Sequence, residues 1–154
     1  MKKVLFVCLG NICRSPMAHG IFQCMVDDAG LSDQIVVDSA GTTSYHIGEL
    51  PDKRARQTCQ ERGVKLTHRA RAFSKDDFEA FDYILAMDKQ NLLNIQKLEP
   101  AQHNASVKLM RAYDAKKPNA DVPDPYFGGM DGFVEVYDML ERSCAELLVD
   151  VLKS

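Results

Sequence analysis

Cys8 and Arg14 are separated by five residues in the run Cys8-Leu9-Gly10-Asn11-Ile12-Cys13-Arg14-Ser15. An ionised thiol is a strong nucleophile, and a guanidinium is a planar fork that grips two oxygens of a phosphate at once. Between them, Gly10 and Asn11 are residue types that tolerate positive φ, which lets successive N–H groups turn toward the inside of a loop. Inward amides followed by a helix N-terminus make an anion cradle. The same positive field favours ionised sulfur at Cys8, and Ser15 is placed to hydrogen-bond that sulfur and ease its later departure. A nucleophile beside a phosphate cradle makes phosphoryl transfer to sulfur the expected chemistry. The competing reading is a structural cysteine buried at a strand end. Context favours chemistry, because a buried strand precedes the loop and a helix follows it. A nucleotide-binding loop is excluded, since no Gly-Lys-Ser/Thr is present.

The elements that must position this loop alternate in type. Val4–Cys8 reads as a buried strand, and Ser15 opens a helix with Pro16 in its first turn. Ala18, Ile21, Phe22, Met25 and Ala29 form that helix's apolar face, and Gly30 stops it. Ile35–Val37 begins a second strand that ends in Asp38-Ser39-Ala40-Gly41. A second helix is expected from Asp52 to Arg62, stopped by Gly63. Ser74 and Asp77 have capping-box spacing before Phe78 and Phe81. Tyr83–Met87 reads as a third strand, after which Asp88 caps a helix carrying Leu92, Leu93, Ile95 and Leu98. Val107–Met110 reads as a short fourth strand. The last helix repeats apolar residues at Phe133, Tyr137, Leu140, Cys144, Leu147 and Val151, in steps of four and three. Strand–helix alternation implies parallel pairing with right-handed crossovers, hence a three-layer α/β/α sandwich around a small four-stranded parallel sheet. Such sheets bind ligands beyond the carboxyl ends of their strands, which is where Cys8 lies.

A chain of 154 residues suits one domain over 1–154 and can bury about two-thirds of its unfolded surface. A net charge of −3 offers no global attraction to nucleic acid or anionic lipid, so an anionic ligand must be held locally. The apolar run Val4–Leu9 is too short for a membrane span or a secretory segment, and a cytoplasmic location is expected. Five cysteines, an odd number, argue against a secreted disulfide framework. His19, His46, His68 and His103 show no ligand spacing, so neither a metal nor another cofactor is expected from the pattern.

The segment Val7–Ala18 resembles the signature of the low-molecular-weight protein tyrosine phosphatases. The likeness extends to Asp38-Ser39-Ala40-Gly41-Thr42, His68-Arg69-Ala70-Arg71, Tyr83–Asp88 and Asp124-Pro125-Tyr126, so it runs the length of the chain. It implies a cysteinyl-phosphate mechanism with Cys8 as nucleophile. Arg14 and the amides of Leu9 to Ser15 would form the cradle, and Asp124 would be general acid and base. By residue type alone, Asp124 reads more readily as an Asp-Pro turn bonding its own backbone; the resemblance reverses that. The resemblance further implies that Asn11, Ser39 and His68 form a polar network supporting the cradle. Tyr45, Tyr126 and Phe127 would wall the substrate slot. The partners implied are phosphotyrosine proteins and phosphate- or vanadate-like anions, with a cognate tyrosine kinase as the candidate further partner, and neither nucleic acid nor membrane. A low-pKa thiolate invites oxidation, with Cys13 as the neighbour that would capture it as a disulfide.

Three other functions share parts of this pattern. Arsenate reductases of similar fold relay a disulfide through cysteines near the third strand, and Asp82–Lys89 holds none. Protein arginine phosphatases carry threonine where Ile12 stands, and a branched apolar side chain suits a phenyl ring better than a guanidinium. A phosphate-sensing module built on a dead phosphatase would lack Cys8, Arg14 or Asp124, and all are present. Lys53-Arg54-Ala55-Arg56 reads as a solvated helix face. Cys24, Cys59 and Cys144 fall in apolar helical patterns and read as core thiols.

Overall fold

The computed structural model describes residues Met1–Ser154. In chain order the elements are β1 (Lys2–Cys8), α1 (Arg14–Asp28), β2 (Ile35–Gly41), α2 (Lys53–Gln60), α3 (Asp77–Ala80), β3 (Tyr83–Ala86), α4 (Lys89–Gln96), β4 (Ser106–Leu109), a 3-10 turn (Met110–Tyr113) and α5 (Met130–Lys153). The four strands form one sheet in the order β2-β1-β3-β4, and every pairing is parallel. β1 is therefore central, and the register sets Cys8 against Gly41 on one neighbour and Val7 against Ala86 on the other.

The sheet has two buried faces, so its central strands are apolar from Val4 to Cys8 and from Tyr83 to Ala86 and alternate there only in which layer they feed. Val4, Phe6 and Cys8, with Tyr83 and Leu85, enter the larger core under α1 and α5. Leu5 and Val7, with Ile84 and Ala86, enter a smaller core with Phe78 of α3 and Ile95 of α4. No helix is long and apolar enough to cross a membrane.

Two helix ends show why α1 sits where it does. Pro16 lies in its first turn, where a missing N–H costs nothing. At the other end Gly30 takes φ 72°, and the Leu31 N–H donates to the Val26 carbonyl at 2.9 Å, a Schellman-type stop. The inward face differs in part from the one the sequence suggests: Val26 is buried, Met25 only partly, and Ala29 is exposed. α2 is shorter than its pattern, ending at Gln60, with the chain turning through Gly63 at φ 80°. Asp88 caps α4 by accepting from the Asn91 N–H at 2.7 Å, yet Leu93 and Leu98 are 54% and 44% exposed. Leu93 lies about 200° around the helix from the buried Ile95, and Leu98 falls beyond the helix end. All six periodic residues of α5, from Phe133 to Val151, are buried.

Candidate active site

β1 delivers Cys8 to the carboxyl edge of the sheet, and the following loop closes over its sulfur. Sγ lies 3.0 Å from the Ser15 hydroxyl and accepts the Asn11 N–H at 3.3 Å. Donors aimed at sulfur stabilise negative charge there. Only Asn11 in the loop has positive φ, at 58°; the expectation that Gly10 shares it is not met. Gly10 is small for another reason, since a Cβ there would lie 3.0 Å from His46 Cδ2. A tighter constraint comes from β2, where a Cβ on Gly41 would lie 2.9 Å from the Leu9 carbonyl oxygen and 3.1 Å from the Asn11 nitrogen. Gly41 is thus the residue that lets the loop fold down against the sheet.

Asn11 is held by its side chain. Its Oδ1 accepts from the Arg71 N–H at 3.1 Å and from His68 Nε2 at 3.0 Å, and its Nδ2 donates to Ser15 at 2.7 Å. Of the expected network, His68 is therefore in direct contact with Asn11 and Ser39 is not. The Ser39 hydroxyl is 3.0 Å from His19 Nδ1 instead, because β2 points it toward α1. Burial pushes both imidazoles toward the neutral form: His68 is lowered, and His19 is lowered to about 4, with His68 as a second cause.

Arg14 is 2% exposed and yet charged. Nη1 donates to Asp88 at 2.6 Å and to the Val122 carbonyl at 2.9 Å, while Nη2 lies 3.7 Å from the Asp124 carboxylate. Burial works against its charge, but the Cys8 sulfur and the carboxylates of Asp88 and Asp124 outweigh burial and raise its pKa. Asp88, read from the sequence only as a helix cap, thus also aims the guanidinium. Asp124 satisfies both of its sequence readings. Oδ1 accepts the Tyr126 N–H at 3.1 Å in a local turn, and the other oxygen faces Arg14. Asp121, the other acid of this segment, is engaged with Lys89 and is not among the residues that line the cavity.

The opening over Cys8 is a cavity of about 250 Å³ lined by Leu9, Gly10, Ile12, Cys13 and Arg14 from the loop. Tyr45 and His46 complete one wall, and Asp124, Tyr126 and Phe127 the other. Tyr126 and Phe127 meet edge to face at 5.0 Å, and Phe127 and Tyr45 are 91% and 77% exposed. Asn11, Ser15, Ser39 and His68 do not line the cavity. His46 was missed by sequence reasoning, which offered no signal beyond its nearness to Tyr45.

Arg54 is only partly exposed, and its guanidinium is engaged by the protein. Its guanidinium forks onto its neighbour Asp52 and donates to the Gly128 and Tyr126 carbonyls at 3.0 and 2.9 Å. It also lies over the Phe133 ring at 4.7 Å. α2 is thereby tied to the loop that carries Asp124.

Residues 3–154 match the family model described as low molecular weight phosphotyrosine protein phosphatase. A phosphatase of that description from Schizosaccharomyces pombe is 45% identical over 139 residues, covering 90% of this chain and 89% of its own. Among solved structures, a protein tyrosine phosphatase from Entamoeba histolytica with Hepes in its active site superposes with a TM-score of 0.95 at 38% identity, covering 99% of this chain and 98% of that one. A Drosophila arginine phosphatase superposes at 0.91 with 37% identity, covering 98% of each chain. With a parallel sheet of matching fold and sequence likeness from end to end, the chain belongs to the low molecular weight phosphotyrosine protein phosphatase family and is a protein-tyrosine-phosphatase.

Proposed function

We propose that the enzyme hydrolyses phosphotyrosine in two steps through a cysteinyl-phosphate. Cys8 sulfur attacks phosphorus, and Asp124 gives a proton to the departing phenolate. Water, activated by the same carboxylate, then releases inorganic phosphate and returns the thiolate. Arg14 and the loop amides carry the charge of the transferring group, so no metal ion is required for the reaction. The observation that supports this most is the convergence on one cavity of Cys8 sulfur, the Arg14 guanidinium and the Asp124 carboxylate, with Nη2 of Arg14 only 3.7 Å from Asp124. Ser15, 3.0 Å from the sulfur, stabilises the thiolate as it is expelled. Phosphate- and vanadate-like anions bind the same cradle.

The depth of the slot selects the substrate. Its aromatic walls admit a long phosphorylated side chain and keep a phosphoserine backbone away from the sulfur. Asp124 is tested by leaving groups. General acid catalysis is worth about 10²–10⁴-fold, so Asp124→Asn loses about that factor on phenyl phosphate and much less on nitrophenyl phosphate, whose leaving group is stable as an anion. kcat/KM over an aryl phosphate series, accompanied by single-turnover rates, makes the measurement. A loss equal for all leaving groups would show Asp124 to be a turn residue only.

The likeness to an arginine phosphatase gives a second reading, phosphoarginine hydrolysis, and Ile12 decides between them. Its side chain lines the cavity and offers a phenyl ring an apolar contact while giving a guanidinium nothing to bond. Ile12→Thr is expected to lower the preference for phosphotyrosine over phosphoarginine by about tenfold or more. An unchanged ratio on the two peptides removes Ile12 from specificity.

A further inference from the structure

The geometry points to a divalent-metal site formed by His19, Asp38 and His68, behind the cradle and outside the cavity over Cys8. The three residues come from α1, from β2 and from the segment between α2 and α3, and their donor atoms all lie within 4.8 Å of one another. The proposal does not depend on the roles assigned to Cys8 and Asp124.

Hydrogen-bond direction carries the argument. Asn11 Oδ1 already accepts the fixed N–H of Arg71, so it is an acceptor, and His68 must present Nε2–H to it. Nδ1 is then the ring atom that faces Asp38 Oδ1, at 3.5 Å. That separation is already close to the spacing of two donors on one metal ion. The His19 ring stands edge to face against His68 with centroids 5.0 Å apart and supplies a third donor on the same side. Each member is steered from outside the trio, as ligating residues are. Asn11 orients His68, Ser39 bonds the His19 ring, and the Ser39 N–H donates to Asp38 Oδ1.

Two imidazoles and a carboxylate suit zinc, cobalt or nickel better than magnesium or calcium. Bonds of about 2.0–2.2 Å to such an ion require donors about 3.3 Å apart, a small side-chain rotation from the present spacing. Arg71 opposes the site, with its Nε on Asp38 Oδ2 at 3.0 Å. Its charge is shared by both oxygens of Asp77, which leaves Asp38 Oδ1 to the metal. A groove of about 450 Å³ that includes His19 and His68 in its wall provides an entry path and room for water on the open positions. An ion on Nδ1 strengthens the Nε2–H bond of His68 to Asn11, so occupancy braces the cradle from behind.

The test uses the full chain, stripped with chelator and carrying Cys8→Ser to remove the competing thiolate. Zinc ion alone is titrated by calorimetry, and cobalt(II) serves as a spectroscopic probe. Expected are one bound ion per chain, a raised unfolding midpoint, and cobalt d–d bands without thiolate-to-metal charge transfer. His19→Gln and Asp38→Asn, each first shown to unfold cooperatively without metal, should weaken binding at least about tenfold. Failure to bind below millimolar zinc overturns the site, as does unchanged affinity in either variant or a charge-transfer band from sulfur.

Discussion

Cys13 stands in the wall of the cradle, and its environment sets the pace of any oxidative control. Burial first, and then the carboxylate of Asp52, push its thiol above the ordinary cysteine range. Capture of a Cys8 sulfenic acid by Cys13 forms the disulfide and expels hydroxide, and it requires Cys13 as thiolate. After one equivalent of peroxide, disulfide formation is therefore slow at pH 7 and should accelerate about tenfold per pH unit into the alkaline range, followed by mass mapping of quenched samples. A rate independent of pH would assign the capture to another group. The residues readable in the sequence are those whose partners lie within one loop: Cys8, Ser15 and Asn11 contact one another directly. Asp88 shows the other case. One of its oxygens caps α4, a local task that the pattern displays, and the other holds Arg14 across 74 residues of chain, which no pattern displays. Gly41 and Arg71 are silent for the same reason, since only strand register brings them to the loop.

At the scale of elements, the loop bearing Asp124 is secured by a helix start. Asp52 caps α2 by accepting the Arg54 N–H at 2.8 Å, and the same carboxylate orients the Arg54 guanidinium onto the Tyr126 and Gly128 carbonyls. Removing this clamp leaves Asp124 in place chemically but not positionally. Arg54→Ala is expected to cost about tenfold or more in kcat/KM on phenyl phosphate and less on nitrophenyl phosphate. In an Asp124→Asn background the same change should cost nothing further, a double-variant cycle that separates positioning from general loosening. Equal losses in both backgrounds would deny the clamp. Arg54 escaped the sequence reading because a charge run on a short helix has the same composition whether water or a neighbouring loop faces it. α5 was legible along its whole length, since its twenty-four residues repeat the helical period often enough to define one face. The four-residue α3 gives only the capping spacing, and there Asp77 does accept the Ser74 N–H at 2.9 Å.

Across the whole molecule, α5 is fastened to the turn that follows β4 through a buried carboxylate. Asp114 accepts from Arg111 at 2.9 Å, Arg142 at 3.0 Å and the Lys116 N–H at 3.0 Å. Burial opposes its ionisation, but the bonds from Arg142, the Lys116 N–H and Arg111 prevail and hold it at about 2, below the usual 3.8. A depressed folded value means the stabilisation is complete above the unfolded pKa and is lost as pH falls through about 2. It is on the order of 2 kcal/mol. Urea unfolding of the wild type and Asp114→Asn should differ at pH 7 and converge toward pH 2; a gap that persists there would make the interaction one of shape rather than charge. The parallel sheet was legible because alternation of strand and helix leaves few topologies. The trio of His19, Asp38 and His68 was not, because its members meet only after β2 has docked. The site is also divided in order of assembly. The cradle's own bonds lie within eight neighbouring residues and its braces from His68 and Arg71 span 57 and 60, whereas the Arg14–Val122 bond closes a loop of 108. Loops of that length form late and open early, so a chain emerging from the ribosome, or one partly melted, acquires a grip on phosphate before it acquires the means to turn it over.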